Sequence, residues 1–552
     1  MKLLPRILVA FYVFAAMALG HSKPDAGELS PEDQAIVDTL ADYGVDILQH
    51  IDPSELPHSA KRFLPSPSVL ACRVISGLYP QQLLLRDTAQ YTEWRGQFWS
   101  QQQSEVQPAC IFQPTSSTQV AIALLISRLV HCPFAVKSGG HAAFAGSSSV
   151  PDGLTIDLRR LNTIKLSSDK KSVKVGAGNR WLDVYNATTA QGVVPVGGRV
   201  ADIGVGGLTL GGGVSFYSAQ YGFACDNVNN YEVVIADGRI LQVNPKSYPD
   251  LYWALRGGGN NFGIVTMFDL AAYPTGKLWA GSRAYLVDDV TKRSVLDAVV
   301  KFGDEWPSDP KAAMICNFAY TQGMFVAAVN LEYTEPVENP PIFESFRQIP
   351  QIMDTMGIKT LPEVALEFKE SNPNGLRENY WTLTVKLDIE MLNFVVDSYM
   401  AGIEPIKNVA GIVPALTLQI FTSDMIQKMS KNGGNALGLE PSEGPLLLVL
   451  LNTMWANQAD DEVVLDAISG IINAIKNEAK ARNKLNDFIY MNYASQFQSV
   501  VESYGPTNHK RLKAVAKKYD PFRVFQTLQP GYFKLDGAPD RNTPVGSLSA
   551  RL

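Results

Sequence analysis

Histidine and cysteine are scarce in this chain of 552 residues, which has only six of the first and five of the second. No C-x-x-C pair and no Cys/His spacing suited to a metal occurs, which argues against zinc-finger and dithiol chemistry. Basic runs are missing too: nothing exceeds pairs such as Lys170-Lys171 or Lys517-Lys518, and the formal net charge is −6. A nucleic-acid footprint is therefore not expected. Beyond the N-terminus no apolar run reaches the roughly eighteen residues that a membrane helix needs. There is no internal repeat and no low-complexity tract. What remains, 46% hydrophobic and 18% charged residues, describes a globular protein with ample core.

The N-terminus differs from the rest. Lys2 and Arg6 precede an apolar run over 7–19, and Ala18-Leu19-Gly20 supplies small residues before His21. This pattern predicts a secretory signal peptide cleaved after Gly20, with an uncleaved anchor as the alternative. Five cysteines, Cys72, Cys110, Cys132, Cys225 and Cys316, suit a large secreted enzyme with one or two bridges better than a disulfide scaffold. In that compartment Asn186-Ala187-Thr188 is a glycosylation acceptor.

After a polar, weakly helical stretch over 31–49 the chain alternates helix and strand. Residues 116–130 read as a helix capped by Ser116-Ser117-Thr118, followed at once by a strand over 134–136. Short strands over 154–158 and 172–178 flank a turn at Ser167-Ser168-Asp169, and a helix is expected over 181–191. Beyond Pro274, helices over 291–306 and 462–483 alternate with strands over 324–333 and 445–455, as in one layered α+β domain. A strand over 488–493 and a helix over 506–518 close the pattern.

Three glycine-rich turns stand out. The first is FAVKSGGHAAFAG over 134–146, which places His141 on a bend after Gly139 and Gly140. The second, IGVGGLTLGGG over 203–213, has too many glycines for ordinary side-chain packing; such a segment lets backbone N–H groups converge on an anion or lets a flat ring lie on main chain. The third is LRGGGNNFGIV over 255–265. A Rossmann fingerprint is a poor match, because Gly204-Val205-Gly206-Gly207 has the wrong third spacing and no clean βαβ unit surrounds it.

SGGH at 138–141, GVGGLTLGGG at 204–213, YGFACDNV at 221–228 and LRGGGNNFGIV resemble the FAD-binding domain of the vanillyl-alcohol-oxidase superfamily. IYMNYASQ over 489–496 and LKAVAKKYDPFRVF over 512–525 are similar to the closing segment of its berberine bridge enzyme-like branch, and to secreted fungal members most of all. The resemblance implies an α+β fold: a PCMH-type FAD-binding domain of two subdomains (72–276), and a substrate domain with a large antiparallel sheet covered by helices (277–479). A signal peptide (1–20) and an N-terminal segment (21–71) would precede them, and 480–552 would return to the FAD domain.

Carried over residue by residue, the resemblance makes His141 the point of covalent FAD attachment. Ser138, Gly139, Gly140, Gly206 and Gly207 would cradle the pyrophosphate, and Gly204 is also implied as cofactor-binding. Gly263, Ile264 and Val265 would lie near the adenine, with Tyr490 and Asn492 over the isoalloxazine. Many members carry a second link through a cysteine, but here Val200 stands in its place, so a single covalent link is expected. Cys225, in a separate turn, is expected to be a buried structural thiol. Ile203 falls where a bulky residue hinders oxygen. The resemblance also implies a Cys72–Cys132 disulfide, with Cys110 and Cys316 as free thiols.

Hydride transfer from a small substrate to flavin N5, with molecular oxygen as electron acceptor, is the implied reaction. Tyr380, Asn452 and Tyr490, and more weakly Tyr320 and Tyr333, are candidates over the flavin, Asn452 only to orient substrate. The region 277–479 lacks a cluster of carboxylates or Trp platforms for sugars, which favours an apolar natural product of secondary metabolism. A secreted carbohydrate oxidase and a non-catalytic flavin-binding protein are the alternatives.

Overall fold

The computed structural model describes residues 29–57 and 65–539; the expected signal peptide lies outside them. Three sheets organise the chain. In the first, Leu83–Leu85, Cys110–Phe112, Leu154–Asp157 and Phe134–Lys137 lie in that order, the last three strands parallel. The helix Ser117–Leu129 makes the crossover into Phe134–Lys137, and Ser116 caps it by accepting from Gln119 N. Parallel strands need such a covered connection, and every residue of this helix from Val120 onward is buried.

The second sheet is antiparallel: Ile164–Leu166, Ser172–Gly176, Ile264–Pro274, Val228–Val234 and Ile240–Val243, with Val193–Pro195 added to the far end of Ile264–Pro274. The third is the large one. Its long central strands run Leu278–Leu286, Met324–Tyr333, Ala312–Thr321, Val413–Phe421, Leu446–Trp455 and Arg377–Lys386, all antiparallel. Helices Asp289–Glu305, Ile389–Gly402 and Asp461–Ala481 pack together along it. The α+β expectation and its large helix-covered sheet hold.

The sheets are bolted to one another. Arg377, 3% exposed, forks between Asp461 and Glu105, 2.9 Å away. One residue on, the Glu378 backbone is bracketed by the Gln102 side chain at 2.8 and 3.1 Å. The last long strand of the large sheet is thereby fixed to the helix Gln101–Glu105, whose Gln103 holds the loop after Gly140.

Two expectations are corrected. Residues 488–493 form no strand; Met491–Tyr493 is a 3-10 turn closed by Tyr493 N on Tyr490 O. No neighbouring strand offers this segment a ladder, so its backbone closes on itself. The disulfide joins Cys72 to Cys110, not to Cys132. On the helix Pro67–Leu78, Cys72 faces the strand that carries Cys110, while Ser68, one turn earlier, meets Cys132 Sγ at 3.7 Å. Cys132, Cys225 and Cys316 are buried free thiols.

Non-reducing peptide mapping should recover Cys72 joined to Cys110; a Cys72–Cys132 peptide would refute this placement. Replacing both partners by alanine should cost about 2–4 kcal/mol of stability, read from urea unfolding.

Candidate active site

The strand Phe134–Lys137 ends where two glycine loops touch. Gly139 lies against Gly204 main chain to main chain: a Cβ on Gly139 would sit 2.4 Å from Gly204 N, and one on Gly204 2.3 Å from Gly139 N. Only glycine permits that approach. Ser138 Oγ fastens the junction, donating to Ala177 O at 2.6 Å and accepting from Gly206 N at 3.2 Å. The Gly206 N–H is thus spent inside the protein. The N–H groups of Gly139, Gly140 and His141 have no protein acceptor among the described residues, and nothing lies within 4 Å of a Cβ placed on Gly207. These groups border an open cleft of about 810 Å³, which Gly263, Ile264 and Val265 line from the second sheet.

The loop after Gly140 is carried by its neighbours. Gly140 O accepts from Trp99 N and Gln103 Nε2, and Ala142 O accepts from Gln103 Nε2 at 2.7 Å and Ser100 Oγ at 2.9 Å. Between these anchored carbonyls the His141 ring stacks on Trp99, with centroids 4.3 Å apart and planes 11° from parallel. Its Nε2 is buried and faces Asp202 Oδ1 at 3.5 Å. The other oxygen of Asp202 meets Lys369 Nζ at 2.9 Å, from the helix Leu361–Glu370. Burial alone would raise the Asp202 carboxyl, but His141 and Lys369 outweigh it and hold the group down at about 2.

The large sheet forms the opposite wall. Alternation along its strands presents Asn330, Asn317, Thr417 and Asn452 to the cleft as one polar stripe. Asn317 Nδ2 donates to Asn330 Oδ1 at 3.1 Å, and Thr417 Oγ1 stands 2.7 Å from Asn317 Oδ1 and 3.0 Å from Asn452 Oδ1. A hydroxyl has one proton, so Thr417 cannot donate to both amides and one retains capacity for a ligand. Ile315, Ala319, Ala328, Ala415, Leu450 and Met454 flank the stripe with apolar surface.

Tyr493 rises between the walls. Its hydroxyl oxygen accepts from the Arg199 guanidinium and, at 3.1 Å, from Gln419 Nε2. Tyr380 stands edge-on to both Trp99 and Tyr493. Tyr490 is placed differently: buried, its oxygen accepts from Gly213 N, Val214 N and Asn492 Nδ2 at 3.0–3.1 Å. Asn492 also donates to Leu208 O at 3.0 Å. The pair therefore holds the glycine segment from behind while lining the cleft. Val200 and Ile203 line it as well, and Tyr320 and Tyr333 do not.

Local sequence pattern does not single out Trp99, Arg199, Asp202, Lys369 or Tyr493. Arg199 and Asp202 lie beside Val200 and Ile203, and Tyr493 next to Asn492, so a signal exists for three of them. Trp99 and Lys369 come from distant segments and become visible only once the chain is folded.

Two buried acids complete the sheet side. By alternation, Glu332 follows Asn330 and Glu378 precedes Tyr380 on the same face, and both carry carboxyl oxygens without partners. Burial pushes Glu332 well above the usual carboxylate range and Glu378 up to about 9. Both are held neutral.

Gly139→Ala or Gly204→Ala should yield protein with less than a tenth of the bound flavin of the parent, measured by absorbance of the purified sample; full flavin content would show that the loop contact is dispensable. For Glu378 the fold binds a proton that the unfolded chain gives up, so its contribution is full below about pH 4 and is lost as pH rises toward about 9. Glu378→Gln should flatten the fall in stability between about pH 5 and about pH 8 in urea melts, and an unchanged slope would contradict the burial effect.

A flavin nucleotide fits these residues: free N–H groups at a glycine bend suit a pyrophosphate, and bare main chain suits a flat ring. Residues 108–244 match the family described as FAD binding domain, and 489–530 match the one described as berberine and berberine like. The chain is 36% identical over 450 residues to the FAD-dependent monooxygenase tpcD of Cochliobolus heterostrophus, covering 80% of this chain and 87% of that protein. Among solved structures, the carbohydrate oxidase of Microdochium nivale superposes with a TM-score of 0.69 at 20% identity, over 85% of this chain and all (100%) of that one. The 6-hydroxy-D-nicotine oxidase of Arthrobacter nicotinovorans gives 0.68 at 20% identity, over 81% and 96%. With the glycine junction, the His141 bend and the returning C-terminal turn all in place, this chain belongs to the berberine bridge enzyme-like family of FAD-dependent oxidoreductases.

Proposed function

We propose that this enzyme, secreted or held in the lumen of the secretory pathway, oxidises a small and largely apolar natural product, with FAD held by a single covalent link at His141 and molecular oxygen as the electron acceptor. When bound, FAD supplies a hydride acceptor. The observation that carries the reading is the wall opposite the glycine junction, where a narrow amide stripe runs through apolar surface beside Tyr493.

Each side chain has a task in this reading. Tyr493 is the proton-transfer group of this reading, because the Arg199 guanidinium and the Gln419 amide already point at its oxygen and would offset negative charge there. Asn452 orients a substrate hydroxyl or carbonyl through the amide capacity that Thr417 leaves over. Tyr380 closes the space between Trp99 and Tyr493, and Tyr490 with Asn492 keeps the glycine segment in place for the cofactor. Val200 offers no thiol, which leaves one tether, and Ile203 lines the cleft where its bulk slows the approach of oxygen. The name of the Cochliobolus relative, an FAD-dependent monooxygenase, supports flavin and oxygen chemistry in general. A second reading, oxidation of a carbohydrate, draws on the polar stripe and on the fold shared with the Microdochium oxidase.

The test begins with colour. Protein recovered from a secreting host should be yellow, with flavin that stays with the polypeptide through acid precipitation; colourless protein would overturn the reading. Peroxide release should then occur on apolar alcohols and phenols rather than on sugars, and the reverse order would select the carbohydrate reading. Tyr493→Phe should lower kcat by about 10²–10⁴-fold with flavin content unchanged. A kcat within about threefold of the parent would remove Tyr493 from the chemistry.

A further inference from the structure

We infer that Asp202 is the positioning residue that makes His141 reactive toward the flavin, with Lys369 as the clamp on Asp202. The inference rests on the reading of His141 as the attachment point and deepens it. Three observations converge. The two nitrogens of the ring are unequal: Nε2 is buried and faces Asp202 Oδ1 at 3.5 Å, whereas Nδ1 has no protein partner among the described residues and is the nitrogen left for the cleft. Neither Nε2 nor Oδ1 has a hydrogen-bond partner, so two buried polar atoms face each other at 3.5 Å and nothing else. Finally, Lys369 takes the second carboxylate oxygen at 2.9 Å, which stops Asp202 from turning away.

The chemistry assigns these contacts a purpose. A neutral histidine has one N–H, and the carboxylate draws it to Nε2, which leaves the lone pair on Nδ1. Attachment forms a bond from Nδ1 to the carbon of the flavin 8α-methyl group, and that carbon gives up one hydrogen as a proton. The electron pair of the broken C–H bond passes into the flavin, and molecular oxygen takes the electrons with two protons, one from the methyl group and one from the imidazole, to give hydrogen peroxide. Bond formation at Nδ1 places positive charge on the ring while Nε2 still carries its proton. Asp202 is the anion beside that charge, in a mostly buried site where water screens it less than at the surface. The stack on Trp99 keeps the ring plane fixed, so the carboxylate sets which nitrogen reacts and the indole sets its direction.

Lys369 adds a link across the molecule. It lies on the helix Leu361–Glu370, whose Glu367, Phe368 and Glu370 line the cleft, and Ala365 O of the same helix accepts from Ala201 N at 3.1 Å. The group that orients His141 is thus itself oriented by an element next to the large sheet. Attachment of the flavin then depends on both halves of the cleft having come together.

The experiment follows covalent flavin by fluorescence of the acid-precipitated polypeptide and total flavin by absorbance of the native protein. Asp202→Ala and Asp202→Asn should both bind FAD, with the melting temperature lowered by loss of the pair with Lys369, while covalent incorporation slows on the order of tenfold to a hundredfold. Incorporation at the parent rate in Asp202→Asn would overturn the inference, because that variant keeps the size of the side chain and loses its charge. If Asp202→Ala fails to fold, Asp202→Asn alone decides. His141→Ala separates the two levels: it should bind FAD with no covalent fraction. Covalent flavin in His141→Ala would instead defeat the attachment reading itself, whatever the Asp202 variants do.

Discussion

The cleft exists because two main chains touch. Gly139 and Gly204 stand so close that a methyl group on either would overlap the other's backbone nitrogen, and everything functional is arranged around that contact. It sets the separation between the bend that carries His141 and the segment that carries Val200, Asp202 and Ile203. Ser138 then locks the two loops with one hydroxyl that both donates and accepts. A packed core of side chains could not hold two loops at this distance, since each added atom pushes the backbones apart. Glycine is the only residue that lets the polar main chain of both loops face one ligand.

Rigidity reaches this junction from outside. The carbonyls on either side of His141 are held by Trp99, Ser100 and Gln103, and the helix that bears Gln103 is tied to the large sheet through Arg377 and Gln102. From behind, Tyr490 and Asn492 hold the glycine segment by its Gly213, Val214 and Leu208 backbone groups. Losing the Tyr490 hydroxyl would strand these buried N–H groups, at about 1–3 kcal/mol for each one left unsatisfied. The tyrosine is therefore as much a part of the loop's scaffold as of the cleft lining.

The sheet wall obeys a different logic. Period-two alternation sends Asn330, Asn317, Thr417 and Asn452 to one face, and their neighbours along each strand to the helices behind. Burial keeps Glu332 and Glu378 neutral on that same face, so the wall presents hydrogen-bonding groups without a net charge. The charges of Arg199, Asp202 and Lys369 are gathered at the junction instead.

Local sequence determined a good deal by itself. The helix after Ser116, the strand from Ser172 and the long strands Met324–Tyr333 and Leu446–Trp455 of the third sheet follow from capping, turn residues and apolar periodicity, all of which act over a few residues. The glycine turns and His141 were legible for the same reason, because conformational freedom and the absence of bulk are properties of the residues themselves. The C-terminal turn has the apolar look of a strand but is none, since strand formation depends on a neighbour that sequence does not show. The partner of Cys72 was likewise a matter of which face of a helix meets which strand. Only the tertiary structure could bring Trp99, Asp202 and Lys369 onto one histidine, or Arg199 and Gln419 onto Tyr493. These contacts join segments far apart in the chain, and the energy that holds them comes from burial and charge, which exist only after the chain has folded.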